Sequence, residues 1–211
     1  HTTGIRLVLD ALTHEEHGVI KSLDELKAAG HRVAHGGEFF TDSCLVDDEV
    51  KAKIESLYSI APLHNPANLE GILSMEKVLP GIKQVAVFDT SFHHTIPAIN
   101  YLYAIPYEYY EKYRVRKYGF HGTSHKFVAR LGAEMFGLDF ENSKIVTCHI
   151  GNGASVTAIK NGKSFDTSMG FSPLDGLVMG TRAGSMDVSA ATYVAQKEGM
   201  TLAELDNMLN K

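Results

Sequence analysis

The apolar positions of this chain fall into short β-branched runs and longer segments bounded by helix caps, and those boundaries predict its elements. Residues 144–150 and 154–160 form two apolar runs dominated by β-branched side chains, which suit strands. Asn161-Gly162 follows the second run, and both positions accept positive φ, so a tight hairpin is predicted there. Residues 84–89 read Gln-Val-Ala-Val-Phe-Asp, a continuous apolar run that fits a buried central strand ending at Asp89. Residues 31–38 predict a short strand that runs into a glycine-bent loop, with Arg32 near the strand end.

Helices are predicted from their caps. Thr13-His-Glu-Glu16 has the capping-box pattern and predicts a helix to about Ala29, stopped by Gly30. Gly18 weakens that helix by about 1 kcal/mol relative to Ala. Asp47 or Asp48 opens a helix through about Tyr58, and Asn65 as N-cap with Pro66 behind it opens another to near Pro80. Pro106 opens a short helix through Tyr113, and Thr123 or Ser124 caps one that Gly137 ends. Asp187 caps a helix to about Glu198, and Thr201 to Glu204 forms a second capping box. Strands alternate with helices, so the predicted class is α/β. The loop after Asp89 is the predicted boundary between residues 1–90 and 91–211.

Composition narrows the function classes. The chain has 211 residues, 44% of them hydrophobic and 21% charged, as in an ordinary globular protein. Its net charge of −5 offers no basic footprint for nucleic acid. No apolar run approaches the roughly 20 residues needed to span a bilayer, so no membrane association is expected. Two cysteines, Cys44 and Cys148, cannot build a disulfide framework, which favours a reducing, cytoplasmic setting. The chain begins at His1 and ends inside a helical pattern at Lys211, so a fragment is expected.

The candidate chemistry sits in glycine-rich, non-helical settings. Gly151-Asn152-Gly153 lies at a strand end, where two glycines let the backbone approach a ligand closely and turn N–H groups toward an anion. An ordinary hairpin corner has the same sequence. It is not a dinucleotide fingerprint, which needs a glycine at position 156, where Val stands. A Walker loop ending in Gly162-Lys163-Ser164 needs one at 157, where Thr stands. Arg32, Asp89, His121 and Arg182 have plain alternatives as well: a surface ion pair, a turn cap, a core histidine. Together, two arginines, an acid, a histidine and an anion-cradling turn suggest phosphoryl transfer, which needs mainly positioning and charge neutralisation. Cys148 and His149 are strand neighbours pointing to opposite faces, which argues against a thiol–imidazole pair. His121 and His125 have helical metal-pair spacing, but Gly122 and the predicted cap place His121 before the helix, which argues against zinc.

Five segments in this order resemble the acetate kinase family: residues 31–38, 87–93, 116–125, 148–155 and 179–184. The likeness runs over nearly the whole chain. It implies the two-domain α/β fold shared by acetate and sugar kinases, Hsp70 and actin, incomplete in this chain, with the active site in the cleft between the domains. It further implies ATP and acetate exchanging with ADP and acetyl phosphate, Mg²⁺ or Mn²⁺ as cofactor, and a homodimer. By the same resemblance Arg32 and Arg182 hold acetate and the transferred group, Asp89 is the catalytic acid, and His121 stabilises the transition state. His149, Gly151, Asn152 and Gly153 form the ATP-phosphate turn. Leu63, Phe120 and Pro173 line the methyl pocket, with His64 beside it. The family's metal ligands are expected outside this chain.

Two departures from the family pattern bear on activity. Ala34 stands where the family usually has a larger Val, which implies a roomier methyl pocket and better tolerance of propionate. Family members have about twice this length, so the chain by itself is expected to show little kinase activity. Propionate or butyrate kinases, a pyrophosphate-dependent relative and a non-catalytic module are the alternatives.

Overall fold

The computed structural model describes all 211 residues, His1–Lys211. They divide into two compact units, His1–Ser91 and Phe92–Lys211.

The first unit is built on the six-residue parallel pairing of β1 (Ala28–Val33) with β3 (Lys83–Phe88). β3 is central, and the short antiparallel β2 (Cys44–Leu45) covers its other edge. Central placement explains the unbroken apolar sequence of β3, because Ala86 and Phe88 are buried while Val85 and Val87 are half-buried. Helices α1 (Thr2–Leu12), α2 (Asp48–Ser56) and α3 (Asn65–Val78) complete the unit. Val33, Phe40, Val50, Ile54, Leu69, Ile72, Ala86 and Phe88 form its core, with the Phe40 and Phe88 rings stacked at 4.1 Å. Asp47 caps α2 as expected, accepting a 2.8 Å hydrogen bond from Val50 N–H.

Three expectations fail in this unit. The Thr13 to Glu16 box does not start a helix; Thr13 follows the end of α1, and its hydroxyl donates back to the Leu9 carbonyl. Gly30 is not a helix stop but lies inside β1 opposite Val85, because ladder pairing with β3 overrides the local pattern. Asn65 is not a cap either. His64 holds that position, and the fully buried Asn65 amide instead grips the backbone of His35, accepting from its N–H at 3.1 Å and donating to its carbonyl at 2.9 Å.

The second unit is organised on an antiparallel sheet, β4 (Lys144–Ile150), β5 (Ala154–Lys160) and β6 (Lys163–Thr167), in sequence order. The hairpin between β5 and β6 turns at Asn161 and Gly162, which both take positive φ as the sequence predicts. Before the sheet lie α4 (Ala98–Tyr101), which the sequence did not disclose, α5 (Glu108–Tyr113) and α6 (Gly122–Met135). A buried stripe of His125, Ala129 and Ala133, spaced by one helical turn, faces α6 inward. After the sheet, α7 (Val188–Glu198) is capped by Asp187 and α8 (Leu202–Asn210) by a complete Thr201–Glu204 capping box, both as expected. The expected cap of α6 is displaced: His121, in left-handed conformation, precedes the helix, and neither Thr123 nor Ser124 caps it. No helix is long and apolar enough to cross a membrane.

The Asn65 clamp gives a stability test. Asn65→Ala leaves two buried backbone groups of His35 without these partners and should lower the unfolding free energy by roughly 2–4 kcal/mol. The exposed Asn142→Ala should stay within about 0.5 kcal/mol of wild type. Urea unfolding measures both, and equal midpoints for the two variants would contradict the clamp.

Candidate active site

In the first unit the parallel register places Arg32 beside Val87, one residue before the end of each strand. Asp89 follows β3 directly, and its N–H donates to the Val33 carbonyl at 3.0 Å. The carboxylate is therefore held at the strand end with its side chain only 4% exposed. Arg32 answers it as a fork: Nε donates to Oδ1 at 2.9 Å and Nη2 to Oδ2 at 2.6 Å. These bonds, then the negative charge itself, raise the Arg32 pKa above its ordinary value against the opposing effect of burial. The Arg32 side chain remains 70% exposed, so part of a permanently cationic guanidinium faces solvent.

The following loop is fixed at each residue. Ala34 N–H donates to the Asn68 side chain, Asn65 holds His35, and Gly36 N–H donates to the Thr90 hydroxyl. A Cβ at Gly36 would crowd Phe88 and Phe40 at 3.0–3.1 Å. Ala34 is 6% exposed and Leu63 is 73% exposed, so of these two expected pocket residues only Leu63 is open to solvent. His64 stands before α3, close enough to act on His35.

In the second unit the sheet aligns polar side chains on one face. Thr147 and His149 are two apart on β4, and β5 sets Thr157 and Ser155 opposite them. Ser155 Oγ lies 2.9 Å from His121 Nδ1 and 2.8 Å from His125 Nε2, while Thr147 Oγ1 lies 2.7 Å from His125 Nδ1. His149 stacks on His121 at 4.0 Å and shares a 2.9 Å hydrogen bond with Ser124, the hydroxyl expected to cap α6. His93 donates from Nε2 to the Phe120 carbonyl at 2.8 Å, which fixes the backbone just before His121.

The Gly151 to Gly153 turn meets this cluster. Neither glycine has positive φ, and the Gly151 N–H donates to the Gly153 carbonyl at 3.1 Å. What Gly153 provides is close approach: a Cβ there would stand 3.2 Å from an Arg182 terminal nitrogen and 3.6 Å from His121 Nε2. Asn152 is tied to the loop that carries Arg182, since its carbonyl accepts from Gly180 N–H at 3.2 Å. Arg182 Nη1 donates to the Pro173 carbonyl at 3.3 Å. The second unit thus assembles His121, His149, Asn152, Gly153, Pro173 and Arg182 around one spot, and holds Phe120 buried behind it. The first unit assembles Arg32 and Asp89, with Ala34 in the adjoining loop.

Sequence reasoning missed Ser155, Thr147 and His125 as members of this site. Alternating hydroxyls on two paired strands were the available signal, together with a histidine one turn into α6. Each unit also buries an unionised histidine. His125 is pushed down to about 3, first by burial and then by His93, His121 and His149. Burial, then His64, takes His35 down to about 4.

Comparison with known proteins agrees over the full chain. The model of the acetokinase family matches residues 1–211. The acetate kinase of Caldanaerobacter subterraneus subsp. tengcongensis is 59% identical over all 211 residues, which span 53% of that protein. That of Thermotoga maritima is 58% identical, with 52% of it covered. Among solved structures, the crystal structure of Porphyromonas gingivalis acetate kinase superposes with a TM-score of 0.95 at 49% identity, covering all of this chain and 53% of that one. A propionate kinase from Francisella tularensis superposes at 0.93 with 45% identity. The chain spans about half the length of these relatives.

The two neutral histidines set an acid limit on stability. Unfolded, each ring takes a proton near its ordinary value of 6.5; folded, neither does until about pH 4 for His35 and about pH 3 for His125. The unfolded state binds more protons in that window, so stability falls as pH drops below about 6.5, by up to about 1.4 kcal/mol per pH unit for each histidine. His125→Gln should make the slope between pH 4 and 6 shallower in denaturant titrations. An unchanged slope would remove His125 as a cause.

Proposed function

The chain belongs to the acetokinase family, and on that premise we propose that it carries the carboxylate side and one phosphate turn of an acetate kinase. The proposed reaction transfers the γ-phosphoryl group of ATP reversibly to acetate, giving acetyl phosphate and ADP. Residues 1–90 would belong to the N-terminal domain and 91–211 to the nucleotide-side domain. A cytoplasmic, homodimeric full-length enzyme is part of the same proposal.

The observation that carries this reading is the convergence of Arg182, His121 and the Gly153 backbone within a few ångströms of one point. Acetate is already ionised at neutral pH, so it needs no general base. The difficulty is to bring two anions together in line, and oriented arginines with fixed N–H donors meet that need. Asp89 has both oxygens on Arg32, which suits an orienting role rather than proton abstraction. Arg32 and Arg182 would neutralise the carboxylate and the transferred group, and His121 Nε2 would face the charge that builds on the phosphoryl oxygens. His149 and Asn152 hold the turn in shape through the His121 stack and the Gly180 contact.

The family implies a divalent ion with the nucleotide. The residues present do not fit it: no three His, Cys, Asp or Glu side chains are grouped to hold a metal.

A propionate kinase is the second reading, favoured by the Francisella likeness and by Ala34. In the full-length protein, Arg182→Ala should reduce acetyl phosphate formation, read as the hydroxamate, by roughly 10²–10³-fold. Undiminished turnover would remove Arg182 from the chemistry. Ala34→Val should raise the acetate-to-propionate ratio of kcat/KM by about tenfold, the value of a methyl or two in a pocket wall. Equal ratios in the two proteins would refute Ala34 as the determinant.

A further inference from the structure

A line of three hydrogen bonds runs behind His121, from Thr147 Oγ1 to His125 Nδ1, from His125 Nε2 to Ser155 Oγ, and from Ser155 Oγ to His121 Nδ1, at 2.7, 2.8 and 2.9 Å. Distances alone allow the protons to run in either direction, and burial decides between the two. Thr147 is 5% exposed, and its hydroxyl bonds to His125 Nδ1 alone. Were the His125 proton on Nδ1, the Thr147 hydrogen would be buried without an acceptor, which is unfavourable. Thr147 therefore donates to His125 Nδ1. A neutral His125 has one N–H, so it lies on Nε2 and donates to Ser155. Ser155, which is fully buried, has one hydrogen to give, and His121 Nδ1 receives it. His121 then carries its own proton on Nε2. That nitrogen is the one 3.6 Å from the point a Gly153 Cβ would occupy, beside the Arg182 guanidinium.

We propose that Thr147, His125 and Ser155 are positioning residues that hold His121 as the neutral tautomer with its proton on Nε2, so that it meets an oxyanion at the Gly153 turn as a hydrogen-bond donor. The burial that keeps His125 unprotonated supports the arrangement, because a cationic His125 would donate from both nitrogens and leave Thr147 with a misdirected hydrogen. An imidazolium at His121 needs a proton on Nδ1, which requires the whole line to reverse. A neutral donor beside Arg182 also avoids placing two cations side by side.

Long-range ¹H–¹⁵N spectra of the full-length protein labelled with ¹⁵N-histidine test the relay directly. Wild type should show His121 and His125 each with an unprotonated Nδ1 and a protonated Nε2. Thr147→Val should give His125 and His121 mixed tautomers, and Thr147→Ser should restore the wild-type pattern. In the kinase assay Thr147→Val should lower kcat roughly tenfold with KM for acetate within about twofold, since the groups that bind acetate are untouched. A wild-type His121 protonated on Nδ1, or tautomers indifferent to Thr147→Val, would overturn the proposal. The kinetic arm rests on the phosphoryl-transfer reading of His121 and the spectroscopic arm does not. Full activity in His121→Ala would therefore sink that reading while the tautomers still judge the relay.

Discussion

A polar group taken out of water must find a partner, and this constraint shapes both units. Asp89 shows it most plainly. Its carboxylate is buried at the end of a central strand, where an unpaired charge would be strongly destabilising. The parallel register brings Arg32 to it, and both carboxylate oxygens are met. The arginine is thereby oriented while much of its surface stays in solvent. The partly exposed cationic fork follows from satisfying the acid.

In the second unit the same constraint acts through hydroxyls. Antiparallel pairing places Thr147, Ser155 and Thr157 on one buried face, where each needs a partner. Helix α6 supplies His125 to that face through a stripe otherwise made of alanine, which lets the helix sit close. His121 precedes the helix in a left-handed conformation and is caught by the same Ser155. The imidazole nearest the Gly153 turn is thus fixed by residues that never reach the turn themselves.

How legible each part was in the sequence depends on whether its partner is local. Asn161-Gly162, Asp47, Asp187 and the Thr201–Glu204 box act within a few residues, and their elements stand where expected. Thr13, Asn65 and Ser124 carry equally good cap chemistry, yet none caps. Thr13 turns back on α1, Asn65 holds His35, and Ser124 meets His149. A side chain that can cap can also bond a group far away in sequence, and burial decides which bond forms. Gly151 and Gly153 were legible as a turn, but that Gly153 leaves room for Arg182 and His121 was not.

By itself the sequence determined the α/β class, the strands around Asp89 and the hairpin, and through its five motifs the family. These rest on β-branched runs, short-range turn chemistry and motif order, which are properties of neighbouring residues. Only the tertiary structure decided that Arg32 clamps Asp89, that Gly153 makes room for Arg182, and that Ser155 joins two histidines. Those partners lie 57, 29, 34 and 30 residues apart along the chain. Register and burial bring them together, and neither is encoded in any one stretch.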